Sequence, residues 1–176
     1  MDTTQSFGIS AGAKTQSISG SMMLPMTIDN TVSSVTDNGY WIFHIAGTGE
    51  TNSSLTSIPA NDALTSGFIA KGGEVMDYYV LNFCSSSGAS KDVELYCIIS
   101  PKATYEGALT VNYTPTLIKS GLTTSGTSVN FVFSSDSIPS ITLNEGDLVA
   151  FAIKNVSGGT FTGMSALLTI YFNSTL

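Results

Sequence analysis

Apolar and polar positions alternate with a period of two along most of this chain, and Gly, Ser, Thr and Asn interrupt the alternation at short intervals. Leu109, Val111 and Tyr113 fall on one side of the run 108–113, and Val129, Phe131 and Phe133 on one side of 128–133. In 93–100 the same holds for Val93, Leu95, Cys97 and Ile99. Successive side chains of a strand point to opposite faces, so each run predicts a strand with one side on a core. Residues 40–46 (YWIFHIA), 78–84 (YYVLNFC) and 165–172 (SALLTIYF) are apolar on both sides, which suits strands covered on both faces. LVAFAI at 148–153 is a further strand, and 64–70 has weak strand character. Residues 22–28 read as an edge strand, because Pro25 cannot donate to a ladder.

Asn38-Gly39, Gly72-Gly73 and Gly146-Asp147 are turn dipeptides, and 47–62 reads as a long loop with a single helical turn near 61–64. No window sustains a 3.6-residue period. Many short strands separated by turns predict an all-β sandwich or barrel. Residues 1–21 are polar and rich in Gly and Ser, and read as an arm or tether. The expected organisation is therefore an arm, 1–21, followed by a single β-sandwich domain, 22–176. A chain of 176 residues suits one such core and not two.

Composition sharpens the surface. Only 11% of residues are charged against 42% hydrophobic, and Ser and Thr occupy positions where Lys and Glu are usual. A neutral, hydroxyl-rich surface suits strands and turns, and it suits a protein that buries surface in an assembly. Thirteen acids face six lysines, with no arginine, for a net charge of −7. Nucleic-acid partners need basic stripes, so none is expected, and a basic packaging arm is disfavoured because 1–21 holds only Lys14. No membrane partner is expected, since no run approaches a membrane span; the N-terminal residues also lack the pattern of a secretory signal. Cys84 and Cys97 then read as small buried thiols rather than a disulfide.

The chemistry available is sparse. The one histidine, His44, is flanked by Phe43 and Ile45 and reads as a strand residue rather than a general base. Gly8-Ile9-Ser10-Ala11-Gly12 matches the G-x-S-x-G form, but that motif acts only at a strand-to-helix corner of an α/β sheet. Metal-ligand spacings of Cys or His are missing, and Asp136, Glu145 and Asp147 suit turn carboxylates. No cofactor and no catalysis are expected. Tyr40, Trp41, Tyr78, Tyr79, Tyr96, Tyr105, Tyr113 and Tyr171 are the remaining handles, for a core, an interface or a sugar platform.

The stretch Leu143-Asn144-Glu145-Gly146-Asp147-Leu148-Val149-Ala150-Phe151 resembles the L-x-x-G-D-x-V-x-L/F element of C1q/TNF-like jelly rolls. Thr160-Phe161-Thr162-Gly163 is similar to the T-F-S-G step that follows it in C1q domains. The layout of about 40–172 also resembles C-terminal domains of bacterial spore-surface collagen-like proteins and of phage fibre or spike proteins. A collagen-like stem is lacking, and 47–77 has no counterpart. The resemblance implies a C1q/TNF-like jelly-roll sandwich forming a homotrimer, with Phe83, Leu167 and Tyr171 as contacts around the threefold axis. It further implies a non-enzymatic structural or display protein on a virion surface, such as a bacteriophage head fibre, spike or capsid decoration protein. Residues 1–21 would dock on other capsid proteins, and the head would face outward toward a host-surface glycan. The alternative expectation is a carbohydrate-binding, lectin-like module of a bacterial cell or spore surface or a secreted system.

Overall fold

The computed structural model describes residues 22–45, 50–59, 66–85, 91–107, 110–124, 130–135 and 138–174. In chain order the strands are β1 (Met22–Val35), β2 (Tyr40–Ile42), β3 (Glu50–Asn52), β4 (Ser57–Pro59), β5 (Phe68–Ile69), β6 (Glu74–Ser85) and β7 (Lys91–Ser100). One helical turn, α1 (Lys102–Tyr105), precedes β8 (Thr110–Asn112), β9 (Thr114–Thr124), β10 (Asn130–Ser135), β11 (Leu148–Asn155) and β12 (Phe161–Ser174).

Their pairing is nested. β1 pairs with β12, β2 with β11, β6 with β10 and β7 with β9, all antiparallel. The chain thus forms one long antiparallel ribbon, folded so that its segments fall into two sheets. Sheet A has the order β1-β12-β6-β10, and sheet B the order β3-β2-β11-β7-β9 with β5 added beside β11. The all-β expectation holds, in an antiparallel form.

Alternation explains the central core. Met26, Ile28, Met76, Tyr79, Leu81, Leu168, Ile170 and Phe172 project from sheet A. Trp41, Phe43, Val93, Leu95, Cys97, Val149, Phe151 and Ile153 meet them from sheet B. Trp41 packs edge-on against Phe161 with ring centroids 5.0 Å apart. Val93, Leu95 and Cys97 share the inward face of β7, with Ile99 packed against the same core, as their spacing predicts.

Sheet B is also covered on its outer side. β4 and β8 pair with each other, Ile58 opposite Val111, and form a small outer ribbon. Leu55, Ile58, Val111 and Tyr113 pack with Ile42, Ile98, Leu148, Ala150 and Ala152 in a second buried cluster. This second layer is why β11 is buried along nearly all its length. One half of it, β8, comes from the run 108–113 expected as a strand, and the other, β4, from the run 47–62 expected to be irregular, which also supplies the edge strand β3.

Two turns close the ribbon. Asn38 adopts φ 65 and Gly39 is buried, with its amide on the Thr36 carbonyl at 2.9 Å. A Cβ at Gly39 would meet Val35 Cγ1 at 2.5 Å, so the tight approach requires glycine. At the Gly146-Asp147 turn Gly146 has φ 83, and Asp147 Oδ2 accepts from the Asn144 amide at 2.9 Å. The Tyr105 hydroxyl donates to the Gly146 carbonyl at 2.6 Å, tying the turn to α1.

Several expected boundaries move. The run 40–46 is a ladder only through Ile42; His44 then forms an isolated bridge with Thr27, N–H to carbonyl in both directions at 2.8 and 2.9 Å. β9 is a strand that the pattern did not predict, because Pro115, Gly121 and two register shifts break its alternation. The helical turn expected at 61–64 and Val129 lie outside the described residues, as do the arm 1–21 and the Gly8–Gly12 motif.

Candidate functional site

Among the described strands, none forms a second layer over the outer face of sheet A. The side chains of that face belong to neither buried cluster. Cross-strand register sets the rows: Leu167 lies opposite Asn82 and Thr27, Thr169 opposite Val80 and Pro25, and Tyr171 opposite Tyr78. Leu167 is 40% exposed, while its neighbours Ala166 and Leu168 are buried in the core. Tyr78 and Tyr171 are half-buried against each other, centroids 5.7 Å apart with rings tilted by 53°.

A bulge shapes one end of this face. Pairing runs from Tyr171–Tyr78 directly to Phe172–Met76, leaving Asp77 as an extra residue on β6. Met76 and Tyr79 both enter the core, so Asp77 and Tyr78 stay outside together. Asp77 is exposed and brings charge to this end, and at the other end the register places Asp29 opposite Ser165, in phase with Leu167; the rows between them carry no charge. Leu167 and Tyr171, two of the residues expected at a subunit contact, therefore share one face. The backbone of Phe83 pairs with Ala166 and Phe131, one residue out of phase with them, and its side chain lies outside those described.

On sheet B, beside the outer ribbon, a second polar and aromatic group stays half-buried. Tyr40 pairs with Lys154, and Lys154 pairs with Glu94, forming one row across β2, β11 and β7. Tyr96 follows two residues after Glu94 and donates its hydroxyl to Glu94 Oε2 at 2.8 Å. The Tyr96 and Tyr40 rings meet edge to face, centroids 6.2 Å apart at 78°. The Lys154 ammonium sits 6.0 Å from the Tyr40 ring centroid, a weak cation–π contact. Burial raises the Tyr96 phenol well above its usual range, and the bond to the Glu94 carboxylate adds to the rise.

The other expected handles resolve as structure. Trp41, Tyr79 and Tyr113 are core residues. Cys97 is a buried free thiol, and burial pushes its pKa up, away from the reactive thiolate. Cys84 stands in β6 of sheet A, with its side chain outside those described. Asp147 is held by Asn144 through both its amide and its side-chain nitrogen. Asp136 is outside the described residues. Among those that are described, no group of three or more His, Cys, Asp or Glu side chains is placed to hold a metal ion, and no helix is long and apolar enough to cross a membrane.

A cleft of about 430 Å³ beside the Gly146 turn is lined by Ile69, Ala70, Lys71, Lys102, Glu145 and Gly146. It opens between an exposed carboxylate, Glu145, and the two exposed ammonium groups of Lys71 and Lys102.

Sequence reasoning missed Glu94, Lys154 and Asp77. Glu94 and Tyr96 share a strand face by simple alternation, a signal visible at two-residue spacing. Lys154 joins them only through cross-strand register, and Asp77 through a bulge, neither of which the linear pattern encodes.

No family model matches this chain, and no curated protein matches it. Among solved structures, the chain is similar at 10% identity to a chain of the T13 IBDV viral particle, over 88% of this chain and 39% of that one. The TM-score is 0.21, and at that level the likeness carries no weight for fold or role.

Proposed function

We propose that the chain is a non-enzymatic structural and display protein of a virus particle, a jelly-roll head that assembles as a homotrimer through the outer face of sheet A. The carrying observation is the contrast between the ribbon-covered centre of sheet B and the largely uncharged face of sheet A around Leu167, Tyr171 and Tyr78, which no described segment covers. Subunit interfaces favour aromatic residues and deplete charge at their centre. A half-buried tyrosine pair two rows along the same face from an exposed leucine fits that composition.

The nested pairing supports the jelly-roll reading. An antiparallel ribbon rolled so that β1, β12, β6 and β10 form one sheet and β2, β11, β7 and β9 the other is the two-sheet arrangement found in viral capsid and lectin domains. The resemblance of residues 143–151 to the C1q/TNF-like element, which here forms the turn into β11, supports threefold closure. In this reading residues 1–21 anchor to the particle. Limited proteolysis of the free chain tests the division: cleavage is expected within 1–21, with 22–176 surviving as a trimer. An arm as resistant as the head in the free protein overturns the anchoring role.

A second reading, a carbohydrate-binding module, is favoured by the tyrosine corner beside a carboxylate and an ammonium on sheet B. It predicts saturable sugar binding by a monomeric chain.

A further inference from the structure

We infer that Tyr40, Glu94, Tyr96 and Lys154 form a binding site for a neutral saccharide on the outer face of sheet B. The inference gives a ligand and an address to the second reading above. It is equally compatible with a trimeric display head, because sheet B faces away from the assembly face proposed on sheet A.

Sugar recognition has two requirements. The C–H face of a pyranose ring needs an aromatic surface, and its hydroxyls need charged hydrogen-bonding partners strong enough to replace water. Tyr40 and Tyr96, with centroids 6.2 Å apart and rings near perpendicular, form an edge-to-face corner rather than a flat stack, so a sugar ring laid on the pair would meet the face of one tyrosine and the edge of the other. The Tyr96 hydroxyl donates to Glu94 Oε2 and fixes that carboxylate at the corner. An ionised carboxylate offers about four acceptor sites, so one bond leaves Glu94 able to receive two neighbouring sugar hydroxyls.

Lys154 completes the group. It stands directly opposite Glu94 in register, yet its ammonium lies over the Tyr40 ring, and among the described residues that ammonium has no hydrogen-bond or ion-pair partner. Three donors are thus available at the edge of the corner. All four residues are half-buried and sit on paired strands instead of loops, which holds them in place before a ligand arrives. Glu94 and Lys154 cancel in charge, and the chain carries a net charge of −7, so an acidic sugar is disfavoured against a neutral one.

The test is amide chemical-shift mapping of the full-length, isotope-labelled chain titrated with glucose, galactose, mannose, N-acetylglucosamine and lactose. At least one sugar is expected to give saturable shifts centred on Tyr40, Glu94, Tyr96 and Lys154. Tyr96→Ala and Lys154→Met are each expected to weaken that binding by about tenfold or more, as loss of a stacking or charged contact does. Lys154→Met keeps the aliphatic stem, so it reports on the ammonium even if Tyr96→Ala fails to fold. Absence of saturable shifts with all five sugars overturns the site. So do shifts centred on Tyr78 and Tyr171 that survive Lys154→Met. Light scattering on the same samples separates the two proposals: a trimer that binds no sugar removes this site alone, and a monomer that binds sugar removes the assembly alone.

Discussion

The outer faces of the two sheets present similar apolar residues, and only the centre of sheet B is covered: on its edge strand β9 Leu117 is as exposed as Leu167 of sheet A. On sheet B, Ile42, Ile98 and Leu148 lie under the β4–β8 ribbon and are almost wholly buried. On sheet A, Leu167 occupies a comparable place on an interior strand and stays 40% exposed. The difference arises in the connections. The segment between β2 and β6 supplies Leu55 and Ile58, and the segment between β7 and β9 supplies Val111 and Tyr113. No described connection returns over sheet A. The assembly proposed through sheet A rests on that difference among the described residues.

The sharpest test of that contrast substitutes matched residues. Ile98→Ala empties a filled site and is expected to cost about 2–5 kcal/mol by chemical denaturation. Leu167→Ala, measured on the isolated subunit at low protein concentration, is expected to cost less than about 1 kcal/mol. Equal costs would mean that sheet A is covered after all.

A second test concerns how the two sheets are held together at one end. Asn155, on β11 of sheet B, donates to the Val35 carbonyl of β1 at 3.0 Å and to the Gly159 carbonyl at 2.7 Å. Its Oδ1 accepts from the Ser157 amide and hydroxyl. Asn155→Ala leaves buried carbonyls unpaired and is expected to cost about 2–3 kcal/mol. A change within about 0.5 kcal/mol, the range of ordinary surface substitutions, would mean that this clasp contributes nothing to the sheet-to-sheet join.

How much of this was legible beforehand follows from what each region depends on. β7, β11 and β12 could be read because their alternation is local and strong. β9 was missed because Pro115 and its bulges destroy the period, as edge strands commonly do. Half of the layer over sheet B was legible: the alternation of 108–113 predicts β8, whereas β4 lies in a run that reads as loop and is a three-residue strand formed only by pairing with β8. Leu167 and Tyr171 could be proposed from a strand apolar on both sides. The Glu94–Lys154 row depends on register and could not.

Alkaline titration distinguishes covered from bare tyrosines. Burial raises the Tyr79, Tyr96 and Tyr113 phenols above 10.0. A group whose folded pKa is raised stabilises the fold fully below its unfolded value and loses that contribution as pH rises through the folded one. Stability is therefore expected to be insensitive to these three groups below pH 10 and to fall above it. Phenolate absorbance should appear in two phases, the later one coinciding with unfolding. A single phase near the ordinary phenol range would contradict their burial.

The smallest expected effect lies within the cover itself. Among the described residues the buried Tyr113 hydroxyl has no hydrogen-bond partner. Tyr113→Phe removes that unmet group and should be neutral or stabilising by up to about 1 kcal/mol. A clear loss of stability would show that the hydroxyl has a partner.

The most direct measurement is the molar mass of the purified chain in solution by light scattering, alone and with Leu167→Lys. From a subunit of 18.4 kDa, the assembly proposed through sheet A predicts a trimer of about 55 kDa for the natural sequence. The substitution should reduce it to a folded monomer, since a charge buried at an interface without a partner is strongly disfavoured. A natural chain that is monomeric, or a Leu167→Lys chain that remains trimeric, contradicts the assignment of that face.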